Sequence, residues 1–294
     1  MKVGVVDIGT NSMRLLITDG VTEFGRWVEV TGLGRGVDST GVLSEDAMER
    51  TLVVLERFGI QMTTLGVEKR YAMATSASRE ATNRDDFLDR AEKALGVRPE
   101  VISAAREGLL SFDGAEADFL VDEPILVSDI GGGSTELAIY DEVMSIQMGS
   151  VRLTDRMSSV YPLPDREHER SMEMAWSAFA GIDFDFVATH IGVAGTWTSL
   201  AAIAQGLPRY ERSKVHGFWL ELLELERVLD MLFRMTLEEI ESIPSLDPKR
   251  APVMRAGALV AHAVAGWIGL DAILISEKDS LDGAALELLG LTLD

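Results

Sequence analysis

The chain has 294 residues, more than one hydrophobic core usually serves, and its 47% apolar and 26% charged residues are a globular balance that suggests two domains. A formal charge of −21 argues against general binding to nucleic acid or an anionic membrane surface, and the absence of cysteine excludes disulfides, thiolate catalysis and thiolate metal sites. There is no run of about eighteen apolar residues to predict a spanning helix, and the opening MKVGVVDIGTNS turns polar too soon after Asp7 for a secretory signal, so the expected location is cytoplasmic.

In chain order, Val3, Val5, Val6 and Ile8 predict a first strand, and Gly9 opens a turn through Thr10, Asn11 and Ser12. Strands are expected next at 15–18 and 26–30. Ser44 caps a helix with Glu45 and Asp46 in its first turn and Met48, Leu52, Leu55 and Phe58 at helical spacing. A strand at 70–74 runs into Thr75-Ser76-Ala77-Ser78-Arg79, which reads equally well as an anion-touching loop or as a helix cap with a surface arginine. A helix at 85–95 and a strand at 98–103 lead to a helix whose first turn holds Glu107. Taken alone, Glu107 there does no more than complement the helix dipole. Asp122-Glu123-Pro124 marks a boundary.

Residues 5–17 and 127–139 then align without a gap at an offset of 122 residues, matching Asp7 with Asp129, Gly9 with Gly131 and Ser12 with Ser134. So long a period means a duplicated domain rather than a solenoid. Each copy reads as strand, tight turn, strand, the second with Gly131-Gly132-Gly133 in its turn and strands at 137–140 and 143–147. Glycines lack Cβ, so successive backbone N–H groups can close around a phosphate. Thr10, Ser12 and Ser134 add hydroxyls, while Asp7 and Asp129 stand at strand ends where they can hold Mg²⁺ directly or through its water. One such turn is common; two aligned copies point to a phosphate cleft between them. Arg14 occupies the slot of Glu136, and Glu136 is either a metal-site acid or a solvent-facing strand residue.

Further on, residues 148–153 could bring Arg152 toward the cleft. A strand at 191–196 enters a helix at 197–205, placing Gly195-Thr196 either as an anion contact or as an ordinary turn. Amphipathic helices at 221–234 and 250–268, a strand at 272–276 and a last helix at 281–291 complete the pattern. Trp219 and Trp267 read as core. His168, His190, His216 and His262 are scattered, so any metal should be a hard cation held by oxygen. The 21 Arg against 6 Lys suit bidentate phosphate recognition, although coding composition alone would produce the same bias.

Together, Asp7-Ile8-Gly9-Thr10-Asn11-Ser12 with Arg14-Leu15-Leu16, residues 74–81, Glu107 before Leu110-Ser111-Phe112 and Gly114-Ala115, residues 129–136, Gly195-Thr196 and residues 276–283 resemble the exopolyphosphatase / guanosine pentaphosphate phosphatase (Ppx/GppA) family over nearly the full length. The resemblance implies an α/β, actin-like ATPase (ribonuclease H-like) duplicated fold with an interdomain cleft. Residues 1–123 would form the first domain and 124–294 the second, with the last helix, about 281–294, packing back on the first. It implies Mg²⁺-dependent release of terminal phosphate from inorganic polyphosphate or guanosine pentaphosphate, with Mn²⁺ as an alternative metal and a homodimer as a family-level expectation. Glu107 would correspond to the general base, Asp129 and Glu136 would sit at the metal, and Arg79 with both turns would hold phosphates.

The chain departs from the family pattern in three places. Ser103-Ala104 replaces Ser-Gly, Arg106 stands where a first glutamate is common, and Asp282 stands where some members have arginine. Arg106 either adds positive charge for substrate or salt-bridges an acid. Longer members carry an extra helical domain that this sequence lacks, so short chains are the expected substrates. Two competing readings remain: a small-molecule kinase of the same superfold, which here lacks a sugar-site signature, and a non-catalytic sensor of a phosphorylated alarmone or polyphosphate.

Overall fold

The computed structural model describes residues 1–182 and 186–291, so positions 292–294 of the expected last helix lie outside the described residues. The first half runs β1 (Val3–Ile8), β2 (Ser12–Thr18), β3 (Glu23–Val30), α1 (Val37–Thr40), α2 (Glu45–Thr64), β4 (Lys69–Ala74), α3 (Ser76–Glu80), α4 (Arg84–Leu95), β5 (Glu100–Val101) and α5 (Ala104–Glu116). Its sheet has the order β3-β2-β1-β4-β5, with β1 antiparallel to β2 and parallel to β4. Central β1 is buried along its whole length, which is why it reads as an almost unbroken apolar run rather than an alternation. The Ser44 side chain caps α2 by accepting from the Ala47 amide, and Met48, Leu55, Phe58 and Met62 pack the helix onto the sheet.

The second half runs β6 (Ile125–Ile130), β7 (Thr135–Ile139), β8 (Glu142–Ile146), α6 (Ser150–Arg156), α7 (Asp165–Ala178), β9 (Thr189–Val193), α8 (Ala194–Ala204), α9 (Arg212–Val215), β10 (Trp219–Glu221), α10 (Leu222–Arg234), α11 (Leu237–Glu241), α12 (Ala251–Ile268), β11 (Ala272–Ile275) and α13 (Ser280–Leu289). The sheet order β8-β7-β6-β9-β11 repeats that of the first half strand for strand, with β10 added antiparallel on the edge. Two mixed sheets of one topology are the duplicated, actin-like α/β fold.

Helices α5 and α13 tie the halves together. Phe112 and Ala115 of α5 pack with Ile125, Val127 and Ala138 of the second sheet. Leu110 on the same helix meets Leu281 and Ala284 of α13, which rest on Val3 and Val5 of β1. The two helices cross at backbone contact. A Cβ on Gly114 would lie 2.1 Å from the Asp279 carbonyl oxygen, and one on Gly283 would lie 2.0 Å from that of Leu110.

Several elements differ from their sequence expectation. β5 has two residues, shorter than the run at 98–103 suggests. α8 starts at Ala194, so Gly195 and Thr196 belong to its first turn. Trp219 is 48% exposed on edge strand β10 and Trp267 is 41% exposed at the end of α12, where its indole N–H donates to the Trp176 carbonyl; neither is core. The helical stretch Pro248–Ile268 is long and apolar enough to span a membrane, yet Leu259, Val260 and Val264 lie fully buried in the second core.

Candidate active site

The duplicated register places one acid and one partner in each half. Asp7 faces Arg14 across β1 and β2; Asp129 faces Glu136 across β6 and β7. Both turns close identically, the Gly9 amide donating to the Ser12 carbonyl and the Gly131 amide to that of Ser134. The turn carbonyls are fastened from behind: Thr10 and Asn11 accept from Gly34, Thr31 and Gly32, and Gly131 and Gly132 accept from Ser150, Val151 and Arg152. Among the described residues the backbone N–H groups of Thr10, Asn11, Gly132 and Gly133 have no acceptor in the protein. The turns meet directly. A Cβ on Gly132 would lie 2.9 Å from Cβ of Thr10, and one on Gly133 would lie 2.4 Å from Oγ of Ser76. Together they line one polar cleft of about 80 Å³, with Asp7, Asp129 and Glu107 on its wall.

Glu107 reaches the cleft because Ser103 caps α5 by accepting from the Arg106 amide, fixing the first turn of the helix. Its Oε2 accepts from Arg79 Nη1 at 2.7 Å. The same guanidinium lies 3.7 Å from Glu136 Oε1 and 3.4 Å from the Ser134 hydroxyl. Burial, reinforced by the neighbouring Glu136, pushes Glu107 well above the ordinary carboxylate range, with Arg79 pulling the other way. Burial likewise raises Glu136, and it raises Asp129 to about 6 against the pull of Arg14 and the Ser111 hydroxyl, which donates to Asp129 at 2.6 Å. Asp7 is raised by burial despite Arg14, whose Nη2 lies 2.6 Å from Asp7 Oδ2. Oδ1 of Asp7 and Oε2 of Glu136 are buried with no hydrogen-bond partner. The cleft thus concentrates buried acids beside free backbone donors, an arrangement suited to an anion accompanied by a cation.

The sequence profile of the Ppx/GppA phosphatase family matches residues 21–291. The chain belongs to that family. It is 33% identical over 315 aligned residues to exopolyphosphatase 2 of Mycobacterium tuberculosis, covering 98% of this chain and 99% of the relative. It is 30% identical to the bifunctional 3-dehydroquinate synthase/phosphatase of Fusobacterium nucleatum, covering 96% of this chain and 46% of that one. A crystal structure of an exopolyphosphatase-like protein superposes with a TM-score of 0.94 at 34% identity, covering 99% of both chains. An exopolyphosphatase from Cytophaga hutchinsonii gives 0.91 at 27% identity, covering 100% of this chain and 99% of that chain.

In this Ppx/GppA phosphatase most of the residues singled out from sequence converge. Asp7, Gly9, Thr10, Asn11 and Ser12 line the cleft from the first half and Asp129, Gly131, Gly132, Gly133 and Ser134 from the second, and Glu107 and Gly195-Thr196 line it too. Four details depart from expectation. Arg79 stands behind the cleft, spent on Glu107 rather than offered to a phosphate. Glu136 is 1% exposed and also set back. Asp7 is not a free metal acid, because Arg14 binds its Oδ2. The Thr196 hydroxyl donates to the Ile130 carbonyl, and Gly195 lies under the Arg250 guanidinium, where a Cβ would be 1.8 Å from Nη1.

Three residues of the site escape a reading of the sequence. Arg14 is visible there as the counterpart of Glu136, but not as the Asp7 partner. Asp279, which pairs with Arg14, lies inside the matched stretch 276–283 without standing out in it. Arg250, on the cleft wall at the start of α12, leaves no sequence signal. Two departures from the family pattern resolve simply: Arg106 pairs with Glu287 on α13, and Asp282 pairs with Arg26 while closing the α13 capping box.

Proposed function

We propose that this chain is a phosphoanhydride hydrolase that releases terminal phosphate from inorganic polyphosphate, with guanosine pentaphosphate as a further substrate. The observation that carries this reading is the Glu107 carboxylate on the wall of a cleft shared by both turns. The exopolyphosphatase names of its relatives support the substrate class. Residues 1–123 and 124–294 act as the two domains flanking the cleft.

In this reading the unpaired amides of the turns bind the terminal phosphoryl oxygens and orient the phosphorus. Glu107, held by Arg79, accepts a proton from a water aligned with the bond to be broken. The water oxygen bonds to phosphorus, the bridging P–O bond breaks, and the shortened chain leaves with the bridging oxygen. The raised affinity of Glu107 for a proton makes it a stronger base than an ordinary carboxylate. Mg²⁺, or Mn²⁺ in its place, fits the unpartnered oxygens of Asp7 and Glu136 and the buried Asp129. Asp7 and Asp129 line the cleft and Glu136 lies behind it, so among the described residues a cation would be held by few carboxylates and would take its remaining ligands from phosphate oxygens and water. When bound, it would offset charge on the phosphate oxygens. The sensor reading loses its motive, since Arg106 faces Glu287 and not the cleft.

The test is phosphate release from polyphosphate with Mg²⁺. Glu107→Gln keeps the shape of the wall and the contact with Arg79 but cannot take a proton. It should bind substrate while turnover drops by about a hundredfold or more. Undiminished phosphate release by this variant would refute the assignment.

A further inference from the structure

Beyond the phosphate cleft lies a larger cavity of about 400 Å³, and the two share Arg14, Ala194, Gly195 and Arg250. The part of a substrate behind its terminal phosphates therefore has this cavity as its adjoining space. Its wall carries four arginines, Arg14, Arg26, Arg212 and Arg250, and four acids, Glu23, Asp247, Glu277 and Asp279. The charges cancel, and most are already committed to one another. Arg14 Nη1 pairs with Asp279, while its Nε and Nη2 donate to Asp7 Oδ2 at 2.8 and 2.6 Å and Nη2 also reaches the Ser280 hydroxyl at 3.2 Å. Arg26 pairs with Asp282 at 2.5 Å and Glu23 at 3.1 Å. Arg212 pairs with Glu23 at 2.8 Å and Glu277 at 2.9 Å, and the Tyr210 hydroxyl caps Glu277. Among the described residues only Arg250 of the four has no carboxylate within ion-pairing distance.

Polyphosphate brings about one negative charge per unit. A chain running from the cleft into this cavity would meet no net positive field: Arg250 is the one cation offered without an ion pair, and any further cation would have to be taken from a pair already made. Removing one partner from such a pair leaves a buried charge uncompensated, so the exchange is unfavourable. Asp279 sits at the junction. It is 6% exposed, it caps α13, and it holds an arginine that borders both spaces.

We propose that the outer cavity is a length filter and that Asp279 is its specificity-determining residue. By holding Arg14 Nη1, the arm that Asp7 leaves free, Asp279 denies that donor to a continuing polyanion, so the preferred substrates are short polyphosphates whose charged units end within the cleft. The inference rests on the hydrolase reading above. It differs from the family-level expectation of short chains, because it places the selectivity in a replaceable side chain.

The experiment compares tripolyphosphate with long-chain polyphosphate in two readouts. One is kcat/KM for the full chain and for Asp279→Asn. The other is equilibrium binding in the Glu107→Gln background, with and without Asp279→Asn. Asparagine keeps the size of the side chain and can still accept from the Leu281 amide, so the α13 cap is retained. The unchanged chain should favour tripolyphosphate, and Asp279→Asn should move the long-to-short ratio toward long chains by about tenfold in both readouts. Glu277→Gln, a second variant on the same wall, should shift the ratio in the same direction but less, because Arg212 keeps Glu23. A preference for long chains in the unchanged protein, or a ratio that neither variant moves, overturns the filter. If the binding preference and its shift appear without any phosphate release, the filter stands and the hydrolase reading falls. If phosphate is released with no length preference, the hydrolase reading stands and the filter falls.

Discussion

Asp129 shows how the site sets function against stability. Burial raises its carboxyl to about 6 from an ordinary value near 3.8. The folded protein therefore holds that proton more tightly than the unfolded chain does. The resulting contribution to stability is fully present below about pH 4 and is lost as pH rises through about 6. At pH 8 the ionised, buried Asp129 is a destabilising charge, only partly offset by Arg14 and the Ser111 hydroxyl. Asp129→Asn removes that charge and keeps an oxygen to accept from the Ser111 hydroxyl. Scanning calorimetry should show its Tm raised by about 2–4 °C at pH 8 and not at pH 4, with phosphate release lost. A Tm lowered at pH 8 would mean that Arg14 already compensates Asp129. The sequence displays this residue plainly, because duplication aligns it with Asp7. It does not display Arg14 between Asp7 and Asp279, since the ends of the Arg14–Asp279 contact are 265 residues apart.

Among the elements, α6 is the one whose role reverses a sequence expectation. Arg152, expected to turn toward the cleft, lies behind the second phosphate turn, where its Nε donates to the Gly133 carbonyl at 2.6 Å. Its other nitrogens pair with Asp38 of α1 and Glu80 of α3, so one side chain fastens the second turn to the first half. Arg156 adds a bidentate contact to Asp38, and Asp155 accepts from the Gly36 amide at 2.9 Å. Breaking a buried ion network by removing one member costs roughly 3–5 kcal/mol. Arg152→Met should therefore lower Tm and raise KM for polyphosphate, because the two turns lose their fixed spacing; Arg152→Lys should recover only part of the loss, having one nitrogen in place of a fork. Steady-state kinetics and thermal melts on both variants check this. An unchanged KM in Arg152→Met would mean that this clasp does not set the spacing of the turns. The sequence could not reveal the direction of this side chain, because α6 is a single short helix whose orientation is set by its neighbours rather than by periodicity.

Over the whole molecule, the duplicated topology is legible because each turn carries its own local chemistry: β-formers, an acid at the strand end, then small residues. The central strands announce themselves by apolar runs that end in an acid, and α2 by its cap and spacing. The pieces that stay hidden share another property. Edge strand β10 has three residues and one buried position, too little for a periodic signal. Arg250 becomes a cleft residue only because Gly195 leaves room for its guanidinium, a contact between residues far apart in the chain. The pairing of Arg79 with Glu107 is hidden for a similar reason, since that acid is brought by another helix. What unites the molecule is that both halves present free amides to one space, with α5 bringing Glu107, the base we propose, from between the sheets. The most direct test is a crystal structure of the Glu107→Gln variant with tripolyphosphate and Mg²⁺. The terminal phosphorus should lie between the 9–12 and 131–134 turns, touched by amides of both, with residue 107 one water away. A ligand bound by a single turn, or lying only in the outer cavity, would contradict the shared-cleft mechanism.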